Sequence, residues 1–226
     1  HCCGGCIRVS VGIYPLTSVA INVSGLHVFV YAGTVLRTPT GYESGPAGGG
    51  ILVIGGTDAA AAHNVSIVGM GGQFVIDCTR QADIGSNRVA ALRLHGNVRD
   101  FVLGNIKTEM KYGPETGAHS QDLNTNAIAM GNVLVDGVSY HPTGGHVYNI
   151  TNSGSWGGYG LVQVQSAEDV LFEHLDSTGG VTLRMETGVQ LPGSFVGNIT
   201  GRHLICRDGS SGFLASPHSQ HNGNFF

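Results

Sequence analysis

The sequence predicts an all-β fold, a right-handed parallel β-helix, on three observations. Glycine supplies 37 of 226 residues and only 12% are charged, while Val, Ile, Leu and Thr fall in short bursts. Such bursts, separated by Gly and Asn, are the pattern of many short strands and tight turns. One phrase also recurs, an Asn or Asp followed by Val and alternating apolar residues: Asn64-Val-Ser-Ile-Val-Gly, Asn97-Val-Arg-Asp-Phe-Val-Leu-Gly, Asn132-Val-Leu-Val-Asp-Gly and Asp169-Val-Leu-Phe-Glu-His. Finally, the recurrence comes in units of about 20 to 36 residues without helical periodicity, the signature of a solenoid. A single coil cannot bury its own inner row of Val, Ile, Leu and Phe. Stacking does so, at roughly 1.5 to 3 kcal/mol per side chain.

The elements follow in order. Leu26 to Leu36 and Ile51 to Gly56 read as early coils, with the Gly-rich stretch Gly41 to Gly50 as a loop. Second strands precede three of the recurring phrases: Ala90 to Leu94, Ala127 to Met130 and Leu161 to Gln165. Two stretches, Lys107 to Asn126 and Tyr140 to Tyr159, read as insertions that leave the coil outline and wall a groove. Gly212 to Ser216 starts a last strand. The whole of 1–226 reads as a single β-helix domain. Its start at His1, without initiator Met or signal peptide, marks it as a processed product or part of a longer chain. No amphipathic capping helix is legible. An uncapped solenoid end exposes unpaired backbone and invites self-association.

Charge and cysteine usage narrow the class. A net charge of -4 gives no basic footprint for nucleic acid, and no apolar run approaches the ~20 residues of a membrane span. Cys2, Cys3, Cys6, Cys78 and Cys206 are candidates for disulfides in an oxidising, extracellular compartment. One thiol is left over, which could bridge to another chain. Cys3-Gly-Gly-Cys6 has the spacing of half a zinc site, but no second half follows, so neither metal nor cofactor is expected. Asn22, Asn64, Asn149 and Asn198 begin N-glycosylation triplets.

The chemistry concentrates in Gly179-Gly-Val-Thr-Leu-Arg-Met-Glu-Thr-Gly188. On a strand, i and i+2 share a face about 6.5 to 7 Å apart, so Arg184 and Glu186 form an outward row. Inverting glycoside hydrolysis needs two carboxyl groups about 6.5 to 9.5 Å apart, and Glu186 is the natural acid. A solvated ion pair with Arg184, worth about 0 to 1 kcal/mol, is the plain alternative. His218-Ser-Gln-His221 has a ligand spacing suited to a helix rather than a strand. His141 and His146 sit in a Gly-rich stretch where they could contact a sugar. Trp156 serves as a sugar platform or a packing anchor.

Residues from about Val147 to Gly223 resemble the iota-carrageenases, β-helix glycoside hydrolases acting on a sulfated galactan. The matching stretches are Tyr159-Gly-Leu-Val-Gln163, Asp169-Val-Leu-Phe, Gly179 to Thr187, and Pro217-His218 with Asn222-Gly223. The resemblance implies Glu186 as proton donor, Arg184 facing a sulfate, Gln163 positioning the water and His218 lining the cleft; Trp156 and Tyr159 are further substrate-binding candidates beside it. The family pattern continues Glu-Thr-Asp; here Gly188 stands where the Asp base belongs. Asp176, Glu173 and Asp208 are substitutes without a recommending spacing. The expectation is therefore a carrageenase-like chain that acts on or binds a sulfated galactan. The rival is a non-catalytic structural module of an extracellular assembly or filament. A pectate-lyase-type reading would want an Asp cluster for Ca²⁺, and none is visible.

Overall fold

The computed structural model describes residues 5–43, 49–56, 59, 61–82, 89–111, 126–155, 159–187, 192–216 and 224–225. Within them the chain is all-β and winds as a right-handed parallel β-helix. The strands in order are β1 (Cys6–Val9), β2 (Ile13–Pro15), β3 (Val19–Ile21), β4 (His27–Tyr31), β5 (Val35–Arg37), β6 (Gly49–Gly55), β7 (Ala62–Met70), β8 (Phe74–Asp77), β9 (Val89–His95), β10 (Val98–Glu109), β11 (Ile128–Gly131), β12 (Val133–Val135), β13 (Val138–Tyr140), β14 (Thr143–Ser153), β15 (Val162–Val164), β16 (Ala167–Thr178), β17 (Val181–Met185), β18 (Phe195–Arg207), β19 (Ser211–Ala215) and β20 (Asn224–Phe225). The first sheet runs β1-β4-β7-β10-β14-β16-β18-β20, with β2, β5 and β8 joined to it at β10. The second sheet, β3-β6-β9-β11-β15-β17-β19, is the other wall.

The register fixes the stacking. Cys6 pairs with His27, Val28 with Ile67, Val65 with Phe101, Phe101 with Gly145, Gly145 with Val170, and Val170 with Ile199. One turn thus takes between 21 and 44 residues, a wider spread than the sequence suggested. Inward rows align across coils: Ile67, Leu103, Val147 and Phe172 on one wall; Leu52, Leu92, Ile128, Val162 and Leu183 on the other. All nine are buried in one apolar cluster. At the first coils, Val9, Tyr14, Leu16, Leu26 and Leu36 line an apolar cavity of about 530 Å³.

Sharp bends between strand segments need a residue at positive φ, which Gly, Asn and Asp accept most readily. Gly25, Asn64, Asp100, Gly144, Asp169 and Asn198 all adopt it, with φ between 48° and 71°. The flanking pairings place these six at equivalent positions on successive coils. A second ladder of the same kind contains Asn105, Asn149, His174 and His203. There Asn149 Nδ2 donates to Asn105 Oδ1 at 2.8 Å, and the His174 and His203 rings stack 4.5 Å apart. Three glycosylation triplets therefore start at bends: Asn64, Asn149 and Asn198 stand where the backbone itself calls for Asn. Asn22 follows β3 and is exposed.

Several expectations are corrected. Tyr140 to Tyr159 is not an insertion: Thr143–Ser153 is the 11-residue strand β14, and His146 lies on it. The Gly144-Gly145 pair that suggested a loop is a packing device. A Cβ on Gly145 would lie 2.1 Å from Phe101 Cζ, so only glycine lets that ring fill the core. Lys107–Glu109 belongs to β10, and residues 112–125 of the other proposed insertion lie outside the described residues. Gly49 and Gly50 open β6 rather than ending a loop.

The phrase at Asn132 is not a coil strand either; it forms the antiparallel hairpin β12–β13, turned by Asp136-Gly137 at φ 49° and 80°. Cys78 and Cys206 are not disulfide partners. Both thiols are free; Cys78 is fully buried, and desolvation, aided by Asp77, raises its pKa. Cys206 Sγ donates to the Gly180 carbonyl at 3.5 Å. Cys6 is on exposed β1, while Cys2 and Cys3 lie outside the described residues.

Phe172 is fully buried in the stacked row. Phe172→Ala should cost about 3–5 kcal/mol of stability, read as a lowered urea midpoint with an unchanged slope.

Candidate functional site

The outer face of the second sheet carries the candidate site. Leu183 and Met185 of β17 point to the core, which turns Arg184 and Glu186 outward. Register pairs Gln163 of β15 with Arg184, and Gln163 with Ala129 and Ala129 with Arg93 on the preceding coils. Arg93 and Gln163 are thus two strand spacings apart, about 9.6 Å. The row behind it continues from His95 through Gly131 and contains Gln165 and Glu186.

Glu186 is only 2% exposed, although it belongs to an outward row. Its Oε1 accepts from the Arg184 guanidinium, and its Oε2 accepts from Gln163 Nε2 at 2.5 Å. Gln163, itself buried, accepts on Oε1 from Asn126 Nδ2. That second bond decides which end of the Gln163 amide meets the carboxylate. Arg184 lies over the Tyr159 ring, with Cζ 4.5 Å from its centroid, a cation–π contact that fixes the guanidinium plane.

Tyr159 is held close by glycine. A Cβ on Gly180 would fall 1.8 Å from the Tyr159 carbonyl oxygen, and one on Gly160 would fall 1.4 Å from that of Val181. The result is a relay of four side chains, Asn126, Gln163, Glu186 and Arg184, braced by Tyr159. Each carboxylate oxygen of Glu186 thus accepts a side-chain hydrogen bond. Breaking a buried pair of this kind by removing one partner costs about 3–5 kcal/mol.

The chain as a whole is similar to known proteins. No family model matches the chain. The iota-carrageenase of Zobellia galactanivorans is 29% identical over 97% of this chain and 42% of its own length. That of Alteromonas macleodii is 25% identical over 98% and 42%. An iota-carrageenase of family GH82 from A. fortis superposes with a TM-score of 0.79 at 21% identity, covering 95% of this chain and 42% of that one. An iota-carrageenase complexed to iota-carrageenan fragments superposes at 0.73, also at 21% identity, over 91% and 42%. The chain is iota-carrageenase-like. It spans about two fifths of the length of the curated relatives it matches.

Of the residues singled out in the sequence, the iota-carrageenase-like fold brings Gln163, Arg184, Glu186 and Tyr159 together. Trp156, Gly188 and His218 lie outside the described residues. Glu173 and Asp176 are on β16 of the other sheet, paired with His146 and Arg202 and with Arg207. Asp208 occupies a positive-φ bend after β18. None of these three shares the Glu186 sheet. Sequence reading missed Asn126, whose partner is 37 residues away. It also missed Arg93, which only the β9–β11–β15 register brings into the row.

Asn126→Ala should strip the buried Gln163 oxygen of its donor and cost about 1–3 kcal/mol. A double-mutant cycle with Gln163→Leu should show coupling of about 0.5–3 kcal/mol, measured by urea unfolding.

His95 supplies a pH signature. Desolvation, aided by Arg93, lowers its pKa. The unfolded chain therefore takes up the proton first as pH falls through about 6.5. This contribution to stability is complete above that pH and declines on acidification toward the lowered folded value. Thermal unfolding should show His95→Gln losing less stability than the parent between pH 7.5 and 5.5.

Proposed function

We propose that this chain recognises a sulfated galactan along the outer face of its second sheet, with Arg184 meeting a sulfate and Glu186 in the place of the glycosidic proton donor. The observation that carries the reading is the buried Glu186 carboxylate held between Arg184 and Gln163. A strand face needs no such arrangement for its own stability. Two long polar side chains and a carboxylate are desolvated there, and hydrophobic residues of similar size would be at least as stable. The names of the relatives, and the carrageenan fragments bound by one of them, support the substrate class. Arg184 would exchange Glu186 for the sulfate, which would release the carboxyl group to carry a proton. A polymer of this kind is met outside the cell, so the extracellular space is the proposed place of action.

Hydrolysis by inversion requires a second carboxylate to activate water, and this sequence has Gly188 two residues beyond Glu186. Removing a general base costs roughly 10² to 10⁴ in rate. Recognition is thus the primary activity proposed, with cleavage slow. A non-catalytic module of an extracellular assembly is the second reading, favoured by the same glycine and by the full engagement of Glu186.

Iota-carrageenan oligosaccharides should bind, and Arg184→Ala should weaken binding about tenfold or more, as befits a lost charge-assisted contact of roughly 1.5–3 kcal/mol. Gly188→Asp should raise the release of reducing ends by about 10²-fold or more, and Glu186→Gln should abolish it while binding remains. Absence of binding to sulfated galactans over a range of salt and pH would overturn the proposal. Binding without cleavage in the Gly188→Asp variant would select the non-catalytic reading.

A further inference from the structure

A second cavity lies where β13 meets the first residues of β10, β14 and β16. It measures about 470 Å³, within the range of small-ligand sites, and its walls include Arg99, Asp100, Tyr140, His141 and Glu168. Its parts are built rather than incidental. Arg99 Nε donates to Asn97 Oδ1 at 3.0 Å, and buried Asn97 is anchored in turn by Nδ2 to the Ala59 carbonyl at 3.0 Å. The His141 ring packs against Phe195, with centroids 5.8 Å apart. His141 Nε2 stands 3.8 Å from Glu168 Oε2, outside direct hydrogen-bond reach, and its buried Nδ1 has no partner among the described residues.

The backbone makes room as well. In the ladder of positive-φ bends, Asn64, Asp100, Asp169 and Asn198 carry short polar side chains, whereas Gly25 and, on the coil beside Asp100, Gly144 carry none. A Cβ on Gly144 would stand 3.0 Å from Asp100 Oδ1, so the glycine keeps space around that carboxylate.

We infer that this cavity binds a neutral, hydroxyl-rich sugar unit, at a site separate from the Arg184–Glu186 face. That the ligand is a sugar rests on the galactan reading above; that it is neutral rests on the wall. Two carboxylates and one guanidinium give hydroxyl groups both acceptors and a donor, while Asp100 and Glu168 repel a sulfate. Burial lowers the His141 pKa, with Glu168 opposing and Arg99 assisting. The ring is then a neutral donor and acceptor, able to bridge through a ligand hydroxyl to Glu168. Tyr140 supplies an aromatic wall. The metal alternative is not favoured, since the described residues contain no grouping of three or more His, Cys, Asp or Glu suited to an ion.

The test is titration of the intact chain with an unsulfated galacto-oligosaccharide, following the His141 ring signals by NMR and affinity by calorimetry. Millimolar sugar should shift the His141 signals. Glu168→Ala should weaken binding at least tenfold. Gly144→Asn should do the same with an unchanged melting temperature, because Asn suits that bend and fills the space beside Asp100. Arg184→Ala, assayed at a temperature where its melting curve shows it folded, should leave this binding intact. Unmoved His141 signals, affinity unchanged in both cavity variants, or loss of binding in Arg184→Ala would each overturn the inference. If sulfated oligosaccharides still bind through Arg184 when this test fails, the galactan reading survives alone. If only the unsulfated sugar binds, the cavity stands and the galactan reading falls.

Discussion

In-register stacking of parallel coils is the constraint on which every other feature depends. Each turn must close at the same places, and a bend at positive φ repeated coil after coil is what closes it. Asn and Asp serve there because their short side chains tolerate the left-handed region and can hydrogen-bond along the ladder. Asn198 to Asp169 and Asn149 to Asn105 are such bonds. With the bends aligned, inward rows align without further instruction, and outward rows align with them. The Gln163–Arg184 pairing is a consequence of this register. A slip of one residue would turn Gln163 into the core and break the contact with Glu186.

The candidate face works against the stability that the stacking provides. Inward rows gain by burial alone, whereas Arg184, Glu186 and Gln163 surrender hydration and recover it only through mutual hydrogen bonds. That recovery is geometrically demanding, which explains the supporting cast: Asn126 fixing the Gln163 amide, Tyr159 flanking Arg184, and glycines at 160 and 180 bringing the coils close enough for Tyr159 to reach. A network in which each member is held by the next is rigid when complete and costly when any member is lost.

The parts of the fold written in local pattern were legible from sequence. Alternating apolar runs marked β7, β9, β10, β16 and β17, and the i, i+2 spacing put Arg184 and Glu186 on one face. What was misread depended on partners distant in sequence. Gly144-Gly145 looks like a loop until Phe101, 44 residues earlier by pairing, is seen to occupy the space of a side chain. Gly104 is similar, with a Cβ position only 2.2 Å from Tyr148 Cζ. The Asn132 phrase imitates a coil strand, but Asp136-Gly137 supplies the two successive positive-φ residues of a tight hairpin turn. Asn126 has no local signal, because its role is defined only by the Gln163 oxygen it meets.

The two polar regions differ in a way that register alone does not dictate. Along the outer row of the second sheet, cations at Arg93 and Arg184 flank Gln163, and the carboxylate of Glu186 is already engaged. In the cavity lined by Ser139 and Tyr140 of the hairpin, two carboxylates outnumber one guanidinium, and a ring nitrogen has no partner among the described residues. On the proposed reading, a sulfate would be attracted by the first arrangement and repelled by the second, while neutral hydroxyl groups would gain most where donors and acceptors alternate. The hairpin connects the two regions physically: Asn132 Nδ2 donates to Ser139 Oγ and to the Pro192 carbonyl, tying it to the segment that follows Glu186. A polymer carrying both sulfated and unsulfated positions would therefore meet two chemically distinct surfaces on one short solenoid, each selecting a different part of the chain.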